Sequence, residues 1–221
     1  SPSMMSAKIG LDKSLQRSKK ISRLLLHPKS YSTSNTKNIN NFRKKFKKSI
    51  LKPTTSRGTI GVFEIKNNDT QNHFDKYISS SKKAGINEKI IIEEHIEGEH
   101  YLIDINSKDI IIGKKNKNLK NKLLTDSITF FEFNKKSNNK KINNLIKAAK
   151  YICKKLKFNI EFPCTVELII KKNGKIYFIE AANRGAGVFI SDLIFQKLTG
   201  CNTNKKMIFN LMNNYQNLTN D

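Results

Sequence analysis

The sequence predicts an α+β fold, in which short antiparallel strands alternate with a few amphipathic helices. Short apolar runs bounded by turn residues indicate strands, and Ile90–Glu93 is one of them. An Asn-Gly pair at 173–174 separates two such runs, which is the strongest short signal for a β-hairpin. Residues 142–157 carry apolar side chains at helical spacing and therefore predict an amphipathic helix.

The N-terminal part of the chain is predicted to contain a helix followed by a linker. Residues 6–26 repeat apolar side chains at roughly helical spacing, and Pro28 ends that helix. Residues 30–41 are rich in Ser, Thr and Asn, a composition typical of a loop. Further short strands, and a helix at 70–84, are predicted downstream. The strands lie at Ser49–Lys52, Val62–Lys66, Ile90–Glu93, Tyr101–Ile105 and Ile110–Ile112.

The composition indicates a chain that can build a hydrophobic core, and it excludes a disordered tail. It has 221 residues, of which 37% are hydrophobic, enough for one large domain or two small ones. Its longest apolar runs are far too short to span a bilayer, so no membrane partner is expected. Three cysteines, Cys153, Cys164 and Cys201, form no paired motif, which favours a reducing, cytoplasmic compartment.

The formal net charge of +24 leaves open a nucleic-acid partner. Lys and Asn are enriched together along the whole chain, however, and an AT-rich coding sequence would also produce this enrichment. The best candidate stretch for nucleic acid is Phe42–Lys48, in which Phe42 and Phe46 have the spacing of a packing pair on a helix. Core packing explains this stretch better, and a basic nucleic-acid-binding module is kept as an alternative function.

The hairpin around residues 173–174 is the most informative segment. Its strands are predicted at Val166–Ile170 and Ile176–Glu180. A two-residue loop at Asn-Gly fixes the register behind it and places Glu167 directly opposite Glu180. Directly opposed residues point to the same face of a sheet, with Cβ atoms about 4.5–5.5 Å apart. The pattern therefore predicts two carboxylates side by side.

A metal ion is one explanation for such a pair. Mg²⁺ prefers oxygen ligands and bridges carboxylates to phosphates. Glu167 and Glu180 are therefore candidate metal ligands, and Asn183 just past the strand offers a third oxygen. The alternative is a solvated pair with lysine neighbours. Apolar flanking residues indicate a covered hairpin and favour the metal. Arg184 follows, with a guanidinium suited to phosphate or carboxylate.

The segment Glu180–Gly187 resembles the E-x-x-x-R-x-x-G element of the ATP-grasp superfamily. Upstream, Ile90–Glu99 is similar to the strand of that family along which adenine binds. The tripeptide Leu51-Lys52-Pro53 resembles its phosphate-binding strand, and residues 56–61 resemble its flexible phosphate loop. The pair Asp12-Lys13 resembles an Asp-Lys whose lysine also reaches the phosphates.

The resemblance implies two α+β subdomains whose antiparallel sheets hold ATP between them, with Mg²⁺ or Mn²⁺ on the phosphates. It assigns the metal to Glu167, Glu180 and Asn183, and stabilisation of the transferred group to Arg184. His100 stands where the family often carries a ribose-binding Glu. The residues that the resemblance places at ATP are Lys13, Lys52, Ser56, Gly58, Gly61, Glu93, Glu94, Ile96 and His100.

The resemblance also implies a domain plan. Residues 1–41 would be a linker helix and loop, 42–93 a small lid subdomain, and 94–221 a larger C-terminal subdomain with the metal site. Family members usually carry an N-terminal αβα domain before the Asp-Lys helix, and the chain begins too late to contain it. The implication is either a fragment or a partner subunit that supplies this part.

The implied activity is that of a carboxylate–amine ligase, similar to carbamoyl-phosphate synthase and the amino-acid ligases. ATP would phosphorylate a small-molecule carboxylate to an acyl phosphate, with ADP formed. An amine or similar nucleophile would then displace phosphate. A second alternative is an ATP-grasp subunit that binds nucleotide without independent catalysis.

Overall fold

The computed structural model describes residues 3–18, 26–33, 37–56, 58–118, 123–131, 139–187, 190–209 and 212. These residues form two antiparallel sheets and several helices, which confirms the α+β class. No helix among them is long and apolar enough to cross a membrane.

The helices are α1 (Met4–Leu11), α2 (Lys13–Gln16), α3 (Lys37–Arg43), α4 (Gln71–Ala84), α5 (Lys140–Lys155) and α6 (Phe195–Thr199). A π-helical turn at Ile190–Ile194 leads directly into α6, and residues 203–209 are also helical. The strands are β1 (Ser30–Thr33), β2 (Lys48–Pro53), β3 (Phe63–Lys66), β4 (Ile90–Glu94), β5 (Glu99–Asn106), β6 (Asp109–Lys117), β7 (Thr125–Phe131), β8 (Cys164–Ile170) and β9 (Ile176–Ala182).

The smaller sheet has the strand order β1-β4-β2-β3. Helix α4 packs on it through Phe74 and Ile78, which share a core with Ile90 and Ile92 of β4. The helix begins where predicted because the Thr70 hydroxyl accepts a hydrogen bond from the His73 backbone N–H at 3.3 Å.

The larger sheet has the order β7-β6-β5-β8-β9. Helix α5 covers one face, where alternate residues of the central strands, such as Ile103 and Val166, are fully buried. On the opposite face, Leu102 and Ile111 pack against Phe195 of α6. The apolar stripe predicted for residues 142–157 is therefore confirmed as the core side of α5.

The prediction of one continuous helix over residues 6–26 is wrong. Asp12 is extended (φ −112°, ψ 109°), so α1 ends before it and α2 begins after it. Its carboxylate accepts a hydrogen bond from the Ser14 N–H at 2.7 Å and caps α2. Residues 19–25 of the predicted helix lie outside the described residues.

The loop predicted over residues 30–41 is also wrong. Strand β1 pairs antiparallel with β4, and Ile39 of α3 is fully buried in the core of the smaller sheet. The predicted linker 1–41 thus contributes a strand to this sheet. The rings of Phe42 and Phe46 lie 5.0 Å apart between centroids, which confirms that they pack on each other.

The β8–β9 hairpin has a different turn from the one predicted. The Lys171 N–H donates to the Lys175 carbonyl at 3.0 Å, so the loop has three residues and ends at Gly174 with φ 79°. This turn shifts the pairing by one residue near the loop, and Ile170 lies opposite Ile176.

A β-bulge then restores the predicted register. Leu168 pairs with Phe178, whereas Glu167 pairs with Glu180, so Ile179 is the extra residue on β9. The shift at the turn and the shift at the bulge cancel. The opposition of the two carboxylates is confirmed, although the two-residue loop from which it was predicted is wrong.

Gly98, between β4 and β5, marks a close approach of two backbones. A Cβ atom at this position would lie 2.3 Å from the Ile170 carbonyl oxygen. We therefore expect Gly98→Ala to lower the free energy of unfolding by about 1–3 kcal/mol in denaturant titrations. Gly187→Ala is the control, because its Cβ would meet nothing within 4 Å. Equal midpoints for the two variants would contradict the close approach.

Candidate functional site

Glu167 and Glu180 lie on the face of the larger sheet that α5 does not cover. Their strand neighbours Val166, Leu168 and Ala181 belong to the core under α5. Because side chains alternate along a strand, both carboxylates project to the opposite face. They are directly opposed in the register of β8 and β9, so they lie side by side on this face. The structure thus brings these two predicted metal ligands together.

Each of the two carboxylates is already paired with a lysine. Lys115 of β6 forms a hydrogen-bonded ion pair with Glu167, and Lys13 of α2 lies 3.6 Å from Glu180. Burial alone would raise the pKa of Glu167, but the charges of Lys115 and Lys117 outweigh it, and the pKa is lowered. Lysine neighbours, the alternative that the sequence left open, are therefore present in this structure.

Lys13 also contacts the segment that joins β2 and β3. Its ammonium donates to the Ser56 carbonyl at 2.9 Å, and its backbone N–H donates to the Thr54 carbonyl at 2.9 Å. Gly58 is exposed and has a φ of 63°, which favours glycine. Gly61 has a φ of 72° and lies against the end of α4. Ser56 is the predicted phosphate-loop residue that is connected to the carboxylate pair, because the Lys13 ammonium contacts both its carbonyl and the Glu180 carboxylate.

Glu93 is the centre of a buried ion cluster that connects the N-terminal segment with the smaller sheet. Its carboxylate accepts from Arg17 Nε at 2.8 Å and from Lys52 Nζ at 2.7 Å. The three side chains are only 3–7% exposed. Burial alone would raise the pKa of Glu93, but Arg17 and Lys52 outweigh it and the pKa is lowered. Lys52, a predicted phosphate ligand, is held by Glu93 here.

The other predicted ATP-contacting residues continue along the connection between the sheets. Glu94 accepts a hydrogen bond from the Lys29 N–H at 3.5 Å, and Ile96 is buried. Burial and the charge of Lys117 lower the pKa of His100 to about 4, so its ring is neutral at pH 7. A neutral imidazole can still accept or donate a hydrogen bond.

Gln16 and Arg17 attach α2 to the outer edge of β9, and sequence reasoning missed both. The Gln16 amide donates to the Ala181 carbonyl at 2.8 Å and accepts from the Ala181 N–H at 3.0 Å. Arg17 donates to the Ile179 carbonyl. These partners are 165 and 162 residues apart in sequence, so no local signal could reveal them. The attachment places Lys13 beside Glu180.

Asn183, the third predicted metal ligand, does not join the carboxylates. Its Oδ1 accepts from the Cys164 thiol at 3.2 Å, and its Nδ2 donates to Ser6 Oγ at 3.2 Å. Cys164 belongs to the core under α5, so the amide lies on the opposite side of the sheet from Glu180. The alternation of side chains explains this correction: Ala182 occupies the carboxylate face, and Asn183 does not.

Asp104 of β5 holds the segment that follows β9, and the sequence analysis did not single it out. It accepts from Thr165 Oγ1 at 2.6 Å, from Ser191 Oγ at 2.5 Å and from the Ala186 N–H at 3.2 Å. Burial raises the pKa of Asp104, and these hydrogen bonds counteract part of that effect. A lone Asp within an apolar strand was the signal that could have identified it.

Arg184 lies in this segment and is exposed. Its guanidinium donates to the Gly185 carbonyl at 2.9 Å. It lines a cavity of about 310 Å³ together with Phe162, Ser191 and Met207. The guanidinium is therefore exposed beside a cavity large enough for a small molecule, where it has donors left for an anionic group.

The two carboxylates suit Mg²⁺ only when other ligands complete its shell. Among the described parts of the chain, no cluster of three or more His, Cys, Asp or Glu side chains could hold a metal. Mg²⁺ commonly binds one or two carboxylates together with substrate phosphates and water. The pair of Glu167 and Glu180 therefore fits a metal that arrives with a polyphosphate, and does not fit a metal held by protein alone.

Comparisons with known proteins bear on this site. A family model described as an ATP-grasp domain matches residues 46–192. No curated protein sequence gives a significant match. The chain is similar in structure to D-alanine–D-alanine ligase from Bacillus anthracis complexed with ATP (TM-score 0.67, 14% identity, 100% of this chain and 70% of that chain).

Two further solved structures are similar to the chain. One is L-amino acid ligase from Bacillus licheniformis (TM-score 0.67, 18% identity, 90% of this chain and 46% of that chain). The other is a biotin carboxylase–β-γ-ATP complex from Campylobacter jejuni (TM-score 0.70, 16% identity, 94% and 47%). The chain thus spans about half the length of these two proteins.

Proposed function

The chain belongs to the ATP-grasp domain family, and we propose that it binds ATP with Mg²⁺ between its two sheets and transfers the terminal phosphate to a carboxylate. The observation that carries this proposal is the opposed pair Glu167 and Glu180. Both lie on the face of the larger sheet that α5 does not cover, where Lys13 connects Glu180 to the segment after β2. Paired carboxylates with nearby lysines are suited to a metal–polyphosphate complex.

The lysines would neutralise the phosphates. Lys13 and Lys52 are both buried, and their ammonium groups lie beside Glu180 and Glu93, from which a phosphate could draw them. Adenine would lie along Glu93, Glu94 and Ile96 on the connection between the sheets, with the ribose near His100. Phosphoryl transfer depends mainly on positioning and charge neutralisation, which these groups supply.

Glu167 and Glu180 would hold Mg²⁺, or Mn²⁺ in its place. The metal would supply positive charge to the β- and γ-phosphates. Asn183 has no part in this proposal, because its amide lies on the other face. Phosphate and water oxygens would take the place of the third protein oxygen predicted from sequence.

Arg184 would stabilise the transferred phosphoryl group and the acyl phosphate that forms. It lies beside the cavity of about 310 Å³, which would receive the carboxylate substrate. Asp104 fixes the Ala186 N–H nearby and so orients the segment that carries Arg184. Residues 56–61 would close over the phosphates and exclude water, which hydrolyses acyl phosphates.

The second step would be attack of an amine or similar nucleophile on the acyl phosphate, which expels phosphate and leaves ADP in the site. Two of the similar structures bear the names of amino acid ligases, which supports an amine as the nucleophile. The acceptor would be a small-molecule carboxylate. ADP release that depends on one carboxylate in a screen would identify it.

We expect Mg-ATP to raise the melting temperature by roughly 5–10 °C at a hundredfold excess over its dissociation constant. Excess EDTA should remove most of this rise, because bare ATP would bring negative charge against Glu167 and Glu180. Thermal-shift measurements with and without EDTA check this. Equal stabilisation by ATP under both conditions would contradict the metal role of the pair. A Mg-ATP shift with no carboxylate-dependent ADP release would favour a nucleotide-binding subunit without independent catalysis.

A further inference from the structure

Lys115 lies on the face of the larger sheet that α5 does not cover. Its ammonium contacts Glu167, and its side chain is only 14% exposed. The adjacent Lys114 projects to the other face, pairs with Glu99 at 2.6 Å and is 37% exposed. The burial of Lys115 shows that its stem is packed and its charge directed at the carboxylate.

An ammonium and a divalent cation compete for the same carboxylate oxygens. A metal ion on Glu167 would lie within a few ångströms of the Lys115 ammonium, and the two positive charges would repel each other strongly beside this partly buried carboxylate. Lys13 stands in the same relation to Glu180, at 3.6 Å. The carboxylate oxygens of Glu167 and Glu180, which a metal would need as ligands, are thus each neutralised by a lysine.

A polyphosphate changes this balance. It offers several anionic oxygens at once, and the lysine ammonium groups can move to them while the carboxylates become available. The flexible four-carbon stem of lysine allows such a change of partner without movement of the strands.

We propose that Lys115 is a built-in counter-ion of Glu167 that keeps divalent cations off the carboxylate pair until a polyphosphate binds. This inference rests on the proposed function, since it assumes that the pair later receives the metal. Metal binding is consequently coupled to nucleotide binding. Lys115 acts as a positioning residue, because it holds Glu167 in place and determines when the metal can enter.

The test uses Mn²⁺ alone, with no nucleotide present. Free Mn²⁺ is measured by electron paramagnetic resonance during titration of the wild-type protein, Lys115→Met and Lys114→Met. Lys115→Met should bind Mn²⁺ at least about tenfold more tightly than the wild type, which corresponds to about 1.4 kcal/mol. Lys114→Met should match the wild type, because its partner Glu99 lies on the other face. Lys115→Met combined with Glu167→Gln should lose the gain.

Two results would overturn the proposal. One is a folded Lys115→Met protein, as judged by circular dichroism, whose Mn²⁺ affinity equals that of the wild type. The other, which needs no variant, is wild-type protein that binds Mn²⁺ as tightly without ATP as with it. Failure of the proposed function would look different, because the wild type would then show no metal-dependent ATP binding at all.

Discussion

Glu180→Gln should lower phosphoryl transfer by at least about a hundredfold while leaving the fold intact. The change removes one of the two charges that would hold the metal and preserves the shape of the side chain. Lys13, the ion-pair partner of Glu180, keeps its hydrogen bond to the Ser56 carbonyl. The rate is measured as ADP release with the carboxylate that stimulates the wild type. Calorimetry with and without Mg²⁺ should show that ATP binding has lost most of its metal dependence.

Glu161→Gln is the matched control for this experiment. Glu161 is an exposed residue before β8 whose carboxylate accepts a hydrogen bond from Ser107 at 3.3 Å. We expect wild-type ADP release and an unchanged melting temperature for this variant. The Glu180→Gln protein should also melt close to the wild type, because lysines already neutralise the pair and no repulsion is relieved. Full ADP-forming activity of the Glu180→Gln variant would contradict the assignment of Glu180 as a metal ligand.

The elements with strong local patterns were the ones that the sequence predicted best. Helix α5 has an uninterrupted apolar stripe, and α4 has a capping Thr and a closing Gly85, so both were found within a few residues of their ends. Strand β1 was missed because Ser30–Thr33 is polar in composition and is only partly buried. Its strand character comes from pairing with β4, which local composition does not encode.

The carboxylate pair shows how a correct prediction can rest on an incomplete reason. The alternation along β8 and β9 was readable, but neither the three-residue turn at Gly174 nor the bulge at Ile179 has a clear local signal. Asn183 was misplaced because its distance from Glu180 along the chain was considered without the alternation of faces. The pairing of β8 with β9 had to be known before the register of the two carboxylates and the face of Asn183 could be determined.

The charged partners at the site could not be predicted, because they depend on contacts between distant parts of the chain. Lys115 stands in a basic, low-complexity run, where sequence alone makes it look like surface charge. The structure places it against Glu167, 52 residues away. Arg17 likewise reaches Glu93, 76 residues away. Ion pairs of this kind are determined by sheet order and helix docking, which follow from the completed fold.

Glu93→Gln should be strongly destabilising, by about 3–5 kcal/mol in the free energy of unfolding at pH 7. The variant leaves Arg17 and Lys52 buried beside each other without a negative counter-charge. The cluster also joins the N-terminal segment to the smaller sheet, so its loss removes a connection between distant parts of the chain. Urea titrations of the variant and the wild type measure the difference. Glu94→Gln, next along β4, is the control and should fall within about 0.5 kcal/mol of the wild type.

The pH dependence of this difference tests its cause. The pKa of Glu93 is lowered from its ordinary value of 4.5 in the folded protein. A carboxylate with a lowered pKa contributes stability that is fully present above 4.5 and is lost as the pH falls through the folded-state pKa. The gap between the wild type and Glu93→Gln should therefore be largest near pH 7 and shrink progressively below about pH 4.5, because a protonated Glu93 resembles Gln. A gap that stays constant through this acid range would mean that lost packing, and not the lost charge, destabilises the variant.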